Sequence, residues 1–330
     1  MASFIAINTL ATDIFVKPGA YTIEKALQQA REERRLNGTE NIRLKLAEGT
    51  YRLNQPIIVR PEDNGIKIMS EGRAIINGGI KISGWKKQGK YFVADVPDFN
   101  GHPLEFRQLY VNGQKAIRAR DVEDFNDMFR ITNIDKQKEV LYVPAKAVKK
   151  IVNAPYAEMV IHEMWCVANL RIKSIKIMGD SAEVAFHQPE SHIHFMHPWP
   201  SPMITKDGHN SAFYLSNAKE LLDKEGEWFL DIKARKVYYI PRKGENLQTA
   251  DVEVPAMETL VKVEGTPDNM VKGVTFEGIE FAYSTWMRPS LSGHAPLQAG
   301  MYMIEAYKLR PKMIRPNGDH KLDNQGWVGR

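Results

Sequence analysis

Residues 252–286, reading VEVPAMETLVKVEGTPDNMVKGVTFEGIEFAYSTW, place the tightest limit on what this chain can fold into. Val271, Val274, Phe276, Ile279 and Phe281 recur as apolar residues across short polar or glycine gaps. That is the pattern of a strand with one buried face, and Gly278 supplies a bend in mid-run. A single such strand buries nothing by itself. It needs neighbours stacked in parallel on both sides, which calls for a solenoid.

Residues 42–85 supply the repeat. They run IRLKLAEGTYRLNQPIIVRPEDNGIKIMSEGRAIINGGIKISGW, short β-runs punctuated by Gly, Asn, Pro and Asp. Leu44 and Ile68 lie 24 positions apart, as do Ile58 and Ile82. Short strands, tight turns and no intervening helix favour a parallel β-helix over a leucine-rich or helical array. An antiparallel sandwich would also alternate, but it would not repeat like residues at a fixed offset. Ahead of these coils, residues 22–36 form the clearest helix. Thr22 serves as N-cap, Ile23, Ala26, Leu27 and Ala30 make an apolar stripe, and Asn37-Gly38 stops it. Such a helix covers the open end of a β-helix, whose unpaired edge invites aggregation.

Between residues 106 and 254 the texture changes. Strands become less regularly spaced and are joined by loops rich in Pro and charge. Strands are predicted at 108–111, 140–143, 159–161, 172–177, 183–186, 228–232 and 237–240, the last two forming a hairpin across Lys233-Ala234-Arg235-Lys236. The expected organisation is three segments. Residues 1–105 carry the first strand, capping helix and early coils, 106–254 an inserted β-rich domain, and 255–330 the resumed coils, with a strand at 301–304. The fold class is all-β: a right-handed parallel β-helix with a capping helix and an inserted antiparallel β-sandwich-like domain.

Composition excludes several classes. With 330 residues, 43% apolar and 26% charged, the chain is an ordinary globular one, and its net charge of +5 comes from interleaved rather than clustered Lys and Arg, so nucleic acid is not an expected partner. One cysteine, Cys166, rules out an internal disulfide, and its setting MWCVANL suggests a buried thiol. No apolar run approaches the length of a membrane span, and the first residues, MASFIAINTLATDIF, lack a basic n-region followed by a long apolar core. No Gly-rich phosphate loop is present and no cofactor is expected.

Three blocks carry a resemblance. They are FRQLYVNGQKAIRAR at 106–120, GEWFLDIKARKVYYIP at 226–241, and the return coil at 260–286 with its Val-x-Phe-x-Gly-Ile-x-Phe and following Thr285-Trp286. In that order they resemble the large right-handed β-helix proteins of the pectate-lyase-like superfamily that act on plant polysaccharides, with a β-sandwich inserted into the helix. The chain is most similar to glycoside hydrolase family 141, which includes fucosidase and xylanase activities, with families 120 and 110 as near alternatives. It departs in one loop, between the first strand and the helix, which is short here at residues 17–21. The resemblance implies a secreted or periplasmic protein that binds oligo- or polysaccharide.

Glycoside hydrolysis needs two carboxylates about 5–10 Å apart, one of raised pKa. The resemblance implies that they stand on coils after the inserted domain, so the pair is expected beyond Arg330, with this chain an N-terminal portion. The local catalytic candidates are Asp319 and Asp323, beside His320. Substrate-binding candidates are Trp286, Arg288, His294 and Gln298 in the loop STWMRPSLSGHAPLQAG, where Trp stacks on a sugar and Arg, His and Gln bind hydroxyls. The alternative for these four is a surface loop with Trp286 packed inward. The run FHQPESHIHFMHPWP places His192 and His194 on one side of a strand near Glu190 and His197, but no second cluster completes a metal site, and an exposed loop without metal is expected. Arg118, Arg120 and Asp121 read as an ion-pair network between domains. Two rival functions are a polysaccharide lyase, which would need Ca²⁺ carboxylates and a basic Arg or Lys, and a non-catalytic glycan-binding or structural module. A β-helix left open would self-associate through its end.

Overall fold

A computed structural model describes residues 11–38, 41–196 and 201–296, together with the backbone of two short paired strands, Tyr307–Leu309 and Trp327–Gly329. The chain divides into two compact units. One comprises Met1–Ile82, Pro97–Phe106 and Asp251–Thr285, and the other Ser83–Val96, Arg107–Ala250 and Trp286–Arg330.

The first unit is built on parallel pairing. Thr12–Val16 pairs with Ile42–Leu46, which pairs with Lys67–Asn77, which pairs with Thr275–Ala282, all parallel. In this register Ile14, Leu44, Ile68 and Phe276 form one transverse row. The row stacks like on like, and Leu44 and Ile68 are fully buried. A second row, Tyr51, Ile76 and Phe281, runs through Gly49–Arg52 and the far half of Lys67–Asn77. Between the two rows the register shifts at Gly278, whose φ is +68°. A Cβ there would sit 2.3 Å from the Ser70 carbonyl oxygen, so only glycine fits the bend.

The 24-residue offset is therefore held at Leu44 and Ile68, but not at its second pair. Ile58 lies opposite Lys262, in the parallel pairing of Ile57–Val59 with Val261–Val263. Ile82 instead donates its amide to Val252, extending the antiparallel pairing of Gly79–Lys81 with Val252–Pro255. The chain leaves the parallel path at Asn77. Its Oδ1 accepts the Gly79 amide at 2.6 Å and its Nδ2 donates to Glu253 at 2.9 Å, fixing a turn where a coil would have continued.

The helix Thr22–Asn37 buries Ile23, Ala26, Leu27 and Ala30 in the same core as Ile14 and Val16, against the first strand of the row. Tyr21, in the left-handed region, occupies the N-cap position in place of Thr22, whose hydroxyl donates to Gly19. Gly38, also left-handed, closes the C-terminus with its amide on Arg34. At the other end of the row, Phe276 and Ile279 are half-buried and Phe281 is exposed.

The second unit is antiparallel in the main. One sheet orders Phe129–Arg130, Ala212–Ser216, Glu158–Glu163, Cys166–Met178, Ser181–Phe186, Val140–Pro144 and Asn133–Asp135. The other orders Ile117–Arg118, Glu227–Asp231, Lys236–Tyr239, Tyr91–Asp95 and Lys86–Gln88. Met159, Leu170, Val184 and Phe213 from the first sheet share one core with Val93, Phe229 and Tyr238 from the second, as in a sandwich. The predicted hairpin is present, with Arg235 left-handed in its turn and Asp231 accepting the Ala234 amide.

Over the described residues the fold is thus mostly β rather than β throughout, and most of its sheets are antiparallel. The expected strand at 301–304 lies outside the described residues. No helix among them is long and apolar enough to cross a membrane.

Candidate functional site

The loop singled out for substrate binding docks on the second unit. His294 and Asn169 exchange two backbone hydrogen bonds, at 2.7 and 2.8 Å, which join the loop to the long strand Cys166–Met178. Within it, Arg288–Ser292 forms a short helix that the sequence did not suggest. Arg107 donates to the Ser290 hydroxyl at 2.8 Å. Trp286 is 36% exposed and meets His294 edge-on, with ring centroids 4.7 Å apart. Burial and the charge of Arg288 depress the His294 pKa to about 4, so its ring is neutral at physiological pH. A neutral imidazole can exchange hydrogen bonds with sugar hydroxyls, but it is not a proton donor near neutrality. Trp286, Arg288 and His294 are therefore brought together, while Gln298 lies outside the described residues.

Beside this loop is a buried charge cluster. Glu158, 2% exposed, receives Arg107 at 2.7 and 2.8 Å and Arg118 at 2.9 and 3.0 Å. Burial opposes its charge, but the two guanidinium groups outweigh burial and hold its pKa at about 2. A cavity of about 320 Å³ opens here, walled by Arg107, Arg118, Arg120, Asn169 and Tyr214. The expected ion-pair network between domains is corrected in its partners. Arg118 pairs with Glu158, Arg120 with Glu123 at 3.5 Å, and Asp121 accepts the Leu215 amide at 2.8 Å, all inside the second unit. Sequence reading missed Arg107 and Glu158 as a pair. The signal available was a single acid at the start of the apolar strand run EMVIHE, which has to find a buried partner.

The histidine run folds differently from expectation. Residues Glu190–Met196 are a helix, not a strand or exposed loop, with Glu190, His194 and Phe195 buried. Helical spacing sends neighbours two apart to different faces. His192 therefore bonds Glu139 at 2.7 Å on the surface, while His194 faces the buried Glu163 with Nε2 3.1 Å away. Glu190 is taken by Arg171 at 2.6 and 2.9 Å. His197 lies outside the described residues. Among those described, no group of three or more His, Cys, Asp or Glu side chains is placed to hold a metal ion.

Cys166 is half-buried, and its thiol donates to Glu163 Oε2 at 3.2 Å. Burial first, and then the neighbouring carboxylate, push the thiol far above its ordinary range. Burial also raises Glu163 to about 7, against the lowering hydrogen bond from Cys166. Protonated His194 would oppose that rise. With a folded pKa above the unfolded value of 4.5, the native state holds the extra proton, so stability falls as pH rises from about 4.5 to about 7. The expected loss is roughly 1–3 kcal/mol. Melting temperatures at pH 5 and 8 for wild type and Glu163→Gln check this: the variant should lose the slope, and an unchanged slope would remove Glu163 as its source.

Asp319, Asp323 and His320 lie outside the described residues. Among the described carboxylates, burial raises Asp121 to about 6, but its hydrogen bond to Leu215 ties it to the sheet.

Residues 89–242 match the family model of the GH141 insertion domain. A solved structure named as a glycoside hydrolase is similar to the chain with a TM-score of 0.90 and 53% identity, over 97% of this chain and 58% of that one. The chain therefore spans 58% of the length of that relative. No curated protein matches it. By these similarities the chain is glycoside-hydrolase-like, and its residues 89–242 correspond to the insertion domain of GH141.

Proposed function

We propose that this chain is a portion of a secreted or periplasmic glycoside hydrolase acting on plant-type oligo- or polysaccharides, such as α-L-fucosides or xylans. In this reading the parallel row through Ile14, Leu44, Ile68 and Phe276 belongs to the first coils of a right-handed, pectate-lyase-like parallel β-helix. The observation that carries the proposal is the 53% identity to a glycoside hydrolase across 97% of the chain. The half-buried outer strand Thr275–Ala282 supports stacking of further β-structure, or of a second copy, against that edge.

The loop 286–296 is the proposed sugar-binding element. Trp286 offers a partly exposed ring for stacking, and neutral His294 stands beside it. Calorimetric titration with fucosylated and xylo-oligosaccharides tests it. Trp286→Ala should weaken binding about five- to tenfold, the worth of about 1–1.4 kcal/mol of stacking. The melting temperature should shift by no more than about 2 °C. Equal affinity would remove Trp286 from the site. A second reading is a glycan-binding module without turnover. It is favoured by Asp121 and Glu163, the carboxylates raised to about 6 and about 7, being engaged in structural contacts rather than paired across a cleft.

A further inference from the structure

The cavity beside the loop carries more positive charge than its acids balance. Arg107, Lys115, Arg118 and Arg120 stand in its wall. Against these four cations, Glu158 is shared between Arg107 and Arg118, and the exposed Glu123 is divided between Arg120 and Lys224 at 3.5 and 3.7 Å. Lys115 has no acidic partner among the described residues. Arg107 and Arg118 are only 10% and 13% exposed, so the surplus charge of that pair over Glu158 is screened poorly by water, while Arg120 is 28% exposed and Lys115 stands in the open at the rim.

Two of the four cations are also packed against aromatic rings before any ligand arrives. Arg118 lies over Trp228 at 6.0 Å and Arg120 over Tyr214 at 5.9 Å, which fixes both guanidinium planes. Two buried polar atoms of the wall, Arg120 Nε and Asn169 Oδ1, have no hydrogen-bond partner among the described residues. A volume of about 320 Å³ is near the lower end for small-molecule pockets, the size of one sugar unit rather than a long chain. Asn169 is also the residue whose backbone holds His294, and Arg107 bonds Ser290, so the loop that presents Trp286 is anchored on two residues of the cavity wall.

We propose that this cavity is a subsite for an acidic sugar, in which Arg120 and Lys115, backed by the Arg107–Glu158–Arg118 cluster, grip a carboxylate or sulfate ester while Asn169 accepts a ring hydroxyl. The proposal rests on the glycoside hydrolase reading and narrows its substrate to glycans that carry an anionic unit next to the neutral one at Trp286. Forked guanidinium donors suit both planar carboxylates and sulfate oxygens, so the anionic group is the recognition element.

Titration of the full chain at low salt with an oligogalacturonate, a sulfated oligosaccharide of equal length, its neutral counterpart and inorganic sulfate tests this directly. The acidic oligosaccharides should bind at least about tenfold more tightly than the neutral one, and less tightly as salt rises. Whichever of the two binds tighter identifies the anionic group. Arg120→Gln and Lys115→Gln, which leave Glu158 paired, should each weaken acidic binding about five- to tenfold, with neutral binding and melting temperature unchanged. Equal affinity for acidic and neutral glycans, insensitivity to both substitutions, or binding of sulfate ion alone would overturn the subsite. Hydrolysis is read separately, on the longer hydrolase of which this chain is proposed to be a portion. Cleavage of neutral glycans without acidic preference defeats the subsite and leaves the hydrolase reading, whereas acidic binding without cleavage of any glycan does the reverse.

Discussion

Glu158→Gln lowers the stability of the second unit by about 3–5 kcal/mol, the loss expected when one partner is removed from a buried ion-pair cluster. The glutamate is 2% exposed and receives four hydrogen bonds from Arg107 and Arg118. An uncharged amide cannot balance two guanidinium groups held at 10% and 13% exposure. Denaturant midpoints measure the effect. The triple replacement Arg107→Met, Arg118→Met, Glu158→Leu separates pairing from packing and should recover most of the loss, because no buried charge then remains unpaired. If the single and triple variants are equally unstable, the loss is one of shape and not of charge. The same cluster sets an acid limit. The folded pKa of about 2 lies below the unfolded value of 4.5, so the stabilisation is present above pH 4.5 and is lost as pH falls toward about 2.

Ile68→Ala costs the first unit about 2–5 kcal/mol. Its side chain is fully buried between Leu44 on one neighbouring strand and Phe276 on the other. Truncation opens a cavity in the row that ties residues from both sides of the second unit's main segment into one sheet. Amide exchange at Leu44 and Phe276 should accelerate along with the fall in denaturant midpoint. Ile58→Ala makes the contrast: Ile58 is half-buried and faces Lys262, so its loss should stay below about 1 kcal/mol. A larger loss at Ile58 than at Ile68 would contradict the register.

The contrast between these two isoleucines shows what the sequence reveals and what it conceals. Parallel stacking lays like residue on like, so Leu44 and Ile68 announce their pairing by a fixed offset. The next partner in the row, Phe276, follows more than 200 positions later and leaves no local trace. Ile82 carries the same offset from Ile58 but is diverted by the Asn77 turn, whose hydrogen bonds to Gly79 and Glu253 depend on a strand far along the chain. The hairpin at Lys236–Tyr239 was legible because its turn lies within four residues.

Side-chain chemistry was less legible than topology. Trp286, Arg288 and His294 are neighbours in sequence and remain so in space, which is why the loop could be found. The cationic cavity gathers residues from 107 to 216, and the acid that pairs two of its arginines is one glutamate in an otherwise ordinary strand. The histidine run misled because composition suggested a loop, whereas the partners that fold it into a helix, Glu139, Glu163 and Arg171, lie on other strands and turns.

The most direct test of the functional account is a screen of the protein against aryl glycosides and polysaccharides that include α-L-fucosides, xylans and acidic pectic fragments, read by release of reducing sugar alongside calorimetric binding. Binding to the chain should be saturable and weaken in Trp286→Ala, and the longer hydrolase of which the chain is proposed to be a portion should cleave at least one bound substrate class. Binding without cleavage would select the glycan-binding module, and a protein that neither binds nor cleaves any of these glycans would contradict the account.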